Sequence, residues 1–315
     1  MKKTVATVVA VLIVLLLLAS GIWFGRVPLT LNQIATLRIL LFVCGGSMLF
    51  CFVVGELADN YSQMDKLWSL LPIAYAWIIA ANGGFHTRLV IAAVLITLWG
   101  ARLTMNFARK GAYKLKFWAG EEDYRWAIVH QKPMLRSRFA WALFDLFFIS
   151  VYQNALVLAI CLPLLAAMDS AVPFGWIDAI AAAGILASLL LETVADEQQW
   201  RFYQKKKKML KDCEEPDKLP MPYALGFNTT GLWNRMRHPN YLGEQGMWVF
   251  VYVFAIAAGV AAKGVFHWSI AGCLLLILLF IGSSTLGESI SAGKYPKYAG
   301  YSERVFKYLP IRKYR

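Results

Sequence analysis

Charge is scarce in this chain. Only 16% of its 315 residues are Asp, Glu, Lys or Arg, where an ordinary globular domain carries about 25%. Hydrophobic residues reach 59% and the mean hydropathy is +0.52, so too little polar surface is left to cover a soluble particle. The same numbers exclude a disordered chain, a collagen-like repeat and a coiled coil. Histidine is rarer still, at four residues, and none lies in an HExxH pattern. The five cysteines (Cys44, Cys51, Cys161, Cys213 and Cys273) show no metal or redox spacing; four sit in apolar runs and read as small buried hydrophobes. There is no Walker loop, no GxGxxG after a strand, no nucleic-acid module and no internal repeat, which removes the P-loop, dinucleotide-fold and nucleic-acid classes.

What the chain has in place of charge is a succession of apolar runs. A helix crosses a bilayer with about 20 residues, and runs of that order cover 5–25, 34–55, 66–84, 88–108, 139–168, 172–196, 241–262 and 265–287. The expected fold is an all-α, polytopic membrane helix bundle of about eight transmembrane helices. The first run starts after Met1-Lys2-Lys3 and is longer than a signal-peptide core, which reads as a retained helix. With both termini cytoplasmic, the inside segments hold 26 of the 32 Lys and Arg, the asymmetry of the positive-inside rule. Topology thereby absorbs most of the +13 net charge. The Lys205–Lys208 run reads as part of that signal or as an anionic-lipid contact.

Ionisable residues inside apolar runs are expensive and mark function or a structural ion pair; Arg38, Arg102 and Asp145 are such residues. Richer clusters lie at the cytoplasmic ends of the last three runs. Glu192, Asp196 and Gln199 recur at i, i+4 and i+7, one face of a helix leaving the membrane. In the stretch Arg237-His238-Pro239-Asn240-Tyr241-Leu242-Gly243-Glu244, the His-Pro step stops regular structure and Asn240 is placed to cap a new helix. Asn240 and Glu244 then share a face, with Gly243 permitting close approach. Glu288 precedes a tyrosine-rich end containing Tyr295, Tyr298, Tyr301 and Arg304. Such a set offers acceptors for hydroxyls and amides and cations for phosphates.

The run Gly231 to Glu244, with RHPNYLGE at 237–244, resembles the C-terminal signature of the steroid 5-alpha-reductase-like membrane reductases. The likeness is to their bacterial branch of unknown function, DUF1295, and more distantly to sterol C14 and C7 reductases. The ETVADEQQWRF run at 192–202, the terminal KYPKYAGYSERVFKYLP, Asp65-Lys66-Leu67-Trp68 and Leu98-Trp99-Gly100-Ala101-Arg102-Leu103 resemble that branch too. The resemblance covers roughly 60–315, which divides the chain into a two-helix N-terminal addition, 1–58, and a catalytic domain, 59–315.

The resemblance implies an enzyme that holds NADPH at the cytosolic face and passes a hydride to an activated C=C bond, as in an enone, of a lipophilic substrate drawn from the bilayer. It implies cofactor contacts from Glu192 and Asp196, a dinucleotide grip from Arg237, His238, Asn240, Tyr241 and Glu244, and closure by Tyr298, Tyr301 and Arg304. Arg201 and the Lys205–Lys208 run are phosphate partners by charge alone. The catalytic acid falls on Asp65, which serves if desolvation keeps it protonated. The family tyrosine falls on Trp99, which donates one N–H but is no acid; Tyr113 and Tyr124 are alternative donors. No metal is implied, the partners are membrane lipids and the lipophilic substrate, and a bacterial inner membrane is the expected location. A similar RHPxYxGE element occurs in isoprenylcysteine carboxyl methyltransferases, so an S-adenosylmethionine-dependent membrane methyltransferase is the alternative. A lipid-binding or scaffold protein is the non-enzymatic one.

Overall fold

A computed structural model describes Leu15, Ala19 and residues 28–213, 215, 218–260, 266–311 and 314. The predicted span 5–25 therefore lies outside the described residues, apart from Leu15 and Ala19. All regular elements among the described residues are helical, and extended chain pairs once, in a parallel bridge of Met236 with Phe306. Five described helical stretches are long and apolar enough to cross a membrane: Leu31–Ala58, Thr87–Ala108, Arg138–Ala167, Trp176–Lys211 and Trp268–Lys294. They mark the chain as an integral membrane protein. The eight predicted spans are thus not all reproduced as long helices.

The chain divides into two compact units, the first Met1–Ala182 with Val249–Leu276 and the second Ala183–Trp248 with Ile277–Arg315. In the first, α1 (Leu31–Ala58) starts on a capping box, in which Thr30 Oγ1 accepts from Gln33 N at 3.0 Å and Gln33 Oε1 from Thr30 N at 3.0 Å. Phe42, Leu49 and Leu57 remain exposed along α1, a face suited to hydrocarbon. The predicted span 66–84 is two pieces, α2 (Gln63–Leu67) and α3 (Leu71–Asn82). Pro72 at the start of α3 has no N–H to continue the preceding turn, and twelve residues reach only ~18 Å. Antiparallel to α3 runs α4 (Thr87–Ala108). Gly100 lets α4 approach closely, since an added Cβ there would stand 2.4 Å from the Ser69 carbonyl oxygen.

After α5 (Tyr124–His130), the stretch Arg138–Ala167 is α6 (Arg138–Phe144), a π-helix (Asp145–Tyr152), α7 (Gln153–Ala159) and α8 (Leu162–Ala167). The first unit is tied by a buried ion pair between the first residue of the predicted span 88–108 and a residue within the predicted span 172–196, a pairing that sequence reading did not single out. Arg88 donates to Asp178 at 2.6 and 2.9 Å and to the carbonyls of Val172, Pro173 and Ala257. Every charge there is answered, which is what burial demands.

The second unit takes most of α9 (Trp176–Asp212), the start of α10 (Pro239–Ala257), the end of α11 (Ala271–Lys294) and α12 (Tyr298–Arg304). Its core joins Leu225, Phe227, Tyr298, Tyr301 and Val305. Tyr301 donates its hydroxyl to the Trp233 carbonyl, and Trp233 Nε1 donates to Ala195 O at 3.0 Å. The C-terminal tail is thereby pinned onto α9. Gly226, at φ 86°, faces the Tyr295 ring, where a Cβ would clash at 2.3 Å.

Candidate functional site

The polar face predicted on α9 is formed, and the start of α10 meets it. Asn240 Nδ2 donates to Asp196 Oδ1 at 3.2 Å. Two glycines make the approach possible: a Cβ on Gly243 would lie 2.8 Å from Glu192 Cβ and 2.8 Å from Ser188 O, and one on Gly246 would lie 2.8 Å from Ser188 Oγ. Glu192 and Glu244 are buried, while Asp196 and Asn240 are half-buried. Gln199 Oε1 and Asn240 Oδ1 are buried acceptors without a hydrogen-bond partner among the described residues. This edge of the second unit therefore gathers carboxylates with two buried amide oxygens that lack a donor, acceptor chemistry that hydroxyl and N–H donors would satisfy.

Asn240 does not cap α10. The helix starts at Pro239, where a fixed φ and a missing N–H are tolerated, and His238 O receives the first-turn N–H of Leu242 at 3.1 Å. Asn240 instead sits in the first turn with its side chain turned to Asp196.

Arg237 and His238 face inward. Arg237 Nε and Nη2 donate to the two Glu288 oxygens at 2.8 and 3.2 Å, and its Nη1 donates to the Ser302 and Val305 carbonyls. His238 Nε2 meets the same Glu288 Oε1 at 2.8 Å, and its ring stacks on Tyr241 at 5.1 Å. Burial pushes the His238 imidazole below its ordinary value despite the Glu288 bond, so it is neutral at pH 7 and donates to the carboxylate. Tyr298 and Tyr301 are core residues whose phenols burial pushes up; Arg304 is exposed. Of the basic run, Lys206 donates to Gly226 O at 3.0 Å and Lys205 lies over the Tyr223 ring, whereas Lys207 and Lys208 are exposed. Arg201 pairs with Glu197 at 2.7 Å on the outside of α9.

The residues matching the acid lie in the first unit. Asp65 Oδ2 accepts from Ser62 Oγ at 2.7 Å and from Trp126 Nε1 at 2.9 Å. Burial raises the Asp65 carboxyl above the usual carboxylate range; the Asp123 charge adds to this, while Arg125 and the two hydrogen bonds oppose it. Arg125 forks onto Asp123 at 2.8 and 2.9 Å and, against burial, holds that carboxyl below its ordinary value. Two neighbouring acids are thus set apart, one inclined to keep its proton and one ionised. Trp99 is fully buried in α4. Tyr113 donates to Lys66 O at 2.9 Å, and Tyr124 is exposed.

Residues 51–305 match the profile of a family described as a protein of unknown function, DUF1295. The chain belongs to the DUF1295 family. An uncharacterized protein of Schizosaccharomyces pombe is 35% identical over 285 residues, covering 85% of this chain and 79% of that one. No solved structure matches. The DUF1295 match starts inside α1, so this helix contributes to the family region as well as to the predicted addition.

Several working residues escape sequence reading. Trp126 and Ser62 hold Asp65, but an indole about sixty residues away carries no local signal. Gln198, one position off the predicted face, accepts Leu232 N at 2.9 Å, and at Gly231 an added Cβ would collide with its side chain. Glu288 was visible as an acid beside the tyrosines; its role as partner of Arg237 and His238 was not.

Proposed function

We propose that this protein is a membrane-embedded NADPH-dependent reductase that transfers a hydride to an activated C=C bond of a lipophilic, steroid-like substrate. The observation that carries this reading is the acceptor edge between α9 and α10, where Asp196, Gln199 and Asn240 converge beside glycine-paved helices. Unpaired amide oxygens and a carboxylate suit ribose hydroxyls and a carboxamide N–H, so the residues fit the dinucleotide. The exposed cations Lys207 and Lys208 suit its phosphates. Arg237 and His238 serve as positioning residues, fixing the start of α10 to Glu288 so that Asn240 points at Asp196. NADPH would supply the hydride. Asp65, whose carboxyl burial raises above the usual carboxylate range, is the acid assigned by resemblance to polarise the substrate carbonyl. A bacterial inner membrane with the cofactor edge facing the cytoplasm accords with the distribution of Lys and Arg.

The test is saturable NADPH binding to the purified full-length protein in detergent. Asp196→Ala and Asn240→Ala should each weaken it about tenfold, the ~1.4 kcal/mol of a hydrogen bond to a charged or polar ligand group. Absence of binding, or normal binding by both variants, overturns the reading. Retention of S-adenosylmethionine in place of NADPH selects the methyltransferase alternative.

A further inference from the structure

Lys206, Lys294 and Tyr295 lie in the second unit and have no part in the reading above. Lys294 is the last residue of α11, and Tyr295 follows it. Lys206 Nζ stands 5.4 Å and Lys294 Nζ 5.5 Å from the centroid of the same Tyr295 ring. That ring is held in place: Gly226 leaves it the room a Cβ would take, Phe227 packs on it at 5.7 Å, and Tyr295 N donates to Ser291 O at 2.8 Å. Lys206 is half-buried and donates to Gly226 O at 3.0 Å, its one hydrogen bond among the described residues; Lys294 is exposed.

An ammonium carries three donors, so Lys206 has two more to give. Two ammonium groups on one ring repel each other, and a tyrosine face attracts a cation without neutralising it. Neither lysine has an ion-pair partner among the described residues; Glu197, Glu215 and Glu288 are taken by Arg201, Lys218 and Arg237. An anion shared by the pair relieves both charges.

Lys206 also continues the acceptor face of α9. It follows Gln199 by seven residues, two turns along one face. From Asp196 it is ten residues away, ~15 Å of helix. Counted from Trp176, the start of α9, the roughly 20 residues that cross hydrocarbon end near Asp196. The headgroup layer adds only about 5–8 Å on each side. Lys206 therefore stands in water beyond the lipid phosphates, and its anion comes from solution. We propose that Lys206 and Lys294, seated on Tyr295, bind the phosphate monoester of a soluble nucleotide; resting on the reductase reading, this is the 2′-phosphate that distinguishes NADPH from NADH. A phosphate monoester takes a charge-assisted hydrogen bond from each ammonium, whereas NADH has an uncharged hydroxyl at that position.

Titrations of NADPH and NADH into the full chain in detergent, followed by fluorescence, test this. The wild type should hold NADPH about a hundredfold tighter than NADH, and Lys206→Gln and Lys294→Gln should each weaken NADPH about tenfold while leaving NADH unchanged. Lys294 is exposed, so its variant folds even where Lys206→Gln loosens the contact with Gly226. Unchanged NADPH affinity in Lys294→Gln, or NADH affinity falling in step with NADPH, overturns the proposal and leaves the reductase reading standing. A wild type that binds neither dinucleotide overturns that reading instead. The site then stands only if adenosine 2′,5′-bisphosphate binds, adenosine 5′-monophosphate does not, and Lys294→Gln abolishes the difference; any other pattern removes it. Competition by dihexanoyl phosphatidic acid as strong as that by adenosine 2′,5′-bisphosphate assigns the pair to lipid headgroups and overturns it.

Discussion

Arg237 and Glu288 are joined by two parallel hydrogen bonds, and the same arginine holds the carbonyls of Ser302 and Val305. One guanidinium therefore ties the start of α10, the end of α11 and the tail after α12. A fork of this kind cannot be copied by an ammonium. Arg237→Met should destabilise the second unit by about 2 kcal/mol, because it removes the fork from the Glu288 carboxylate and leaves it the His238 bond at 2.8 Å and Lys307 at 3.8 Å. Arg237→Lys should recover little of that loss. Thermal unfolding in detergent without ligand measures both; a melting temperature equal to the wild type in Arg237→Met refutes the tie.

Asp65 makes stability depend on pH in a defined direction. Its carboxyl is raised by burial and by Asp123, so the folded state binds a proton that the unfolded state releases above about pH 4. Stability from this residue is complete at acid pH and falls as pH rises through its raised folded value. Asp65→Asn keeps the shape, stays neutral and should flatten the decline. Melting curves across that range decide it: equal slopes for wild type and variant would mean that Asp65 ionises freely in the folded protein.

The helical class and the polar face of α9 were legible because periodicity is local: Glu192, Asp196 and Gln199 declare one face by spacing alone. The meeting of Asn240 with Asp196 was foreshadowed by Gly243, whose lack of a side chain signals close approach. The inward use of Arg237 was not legible, since its partners lie more than fifty residues away and a basic residue in a signature reads equally as ligand contact. Nor was the division of 66–84, where an apolar run long enough to span is cut by Ser69 and Pro72 into two short helices.

Close packing at Gly243 gives a prediction with an internal control. A methyl there meets Glu192 Cβ and the Ser188 carbonyl at 2.8 Å, and backbone cannot step aside cheaply. Gly243→Ala should cost about 1–3 kcal/mol, the usual penalty of overpacking. Gly287→Ala, on α11 with open space around its Cβ position, should be neutral or gain up to about 1 kcal/mol from helix propensity. Comparable melting temperatures for the two alanine variants would show that α9 and α10 are not in contact at Gly243.

Asn240 separates structural from ligand roles within one side chain. Its Nδ2 is engaged by Asp196, while Oδ1 is buried without a hydrogen-bond partner among the described residues. Asn240→Asp sets a second carboxylate beside Asp196, which should lower the melting temperature by a few degrees and weaken a phosphate-bearing ligand through like charge. Asn240→Leu removes the unpaired acceptor without adding charge, and should cost NADPH about tenfold in affinity, near 1.4 kcal/mol. The two variants therefore differ in stability but agree in binding loss. Parallel titrations of NADPH by fluorescence, with melting curves of the same samples, measure both quantities. Should Asn240→Leu bind NADPH as tightly as the wild type, the unpaired oxygen faces no ligand, and the cofactor edge must lie elsewhere on α9.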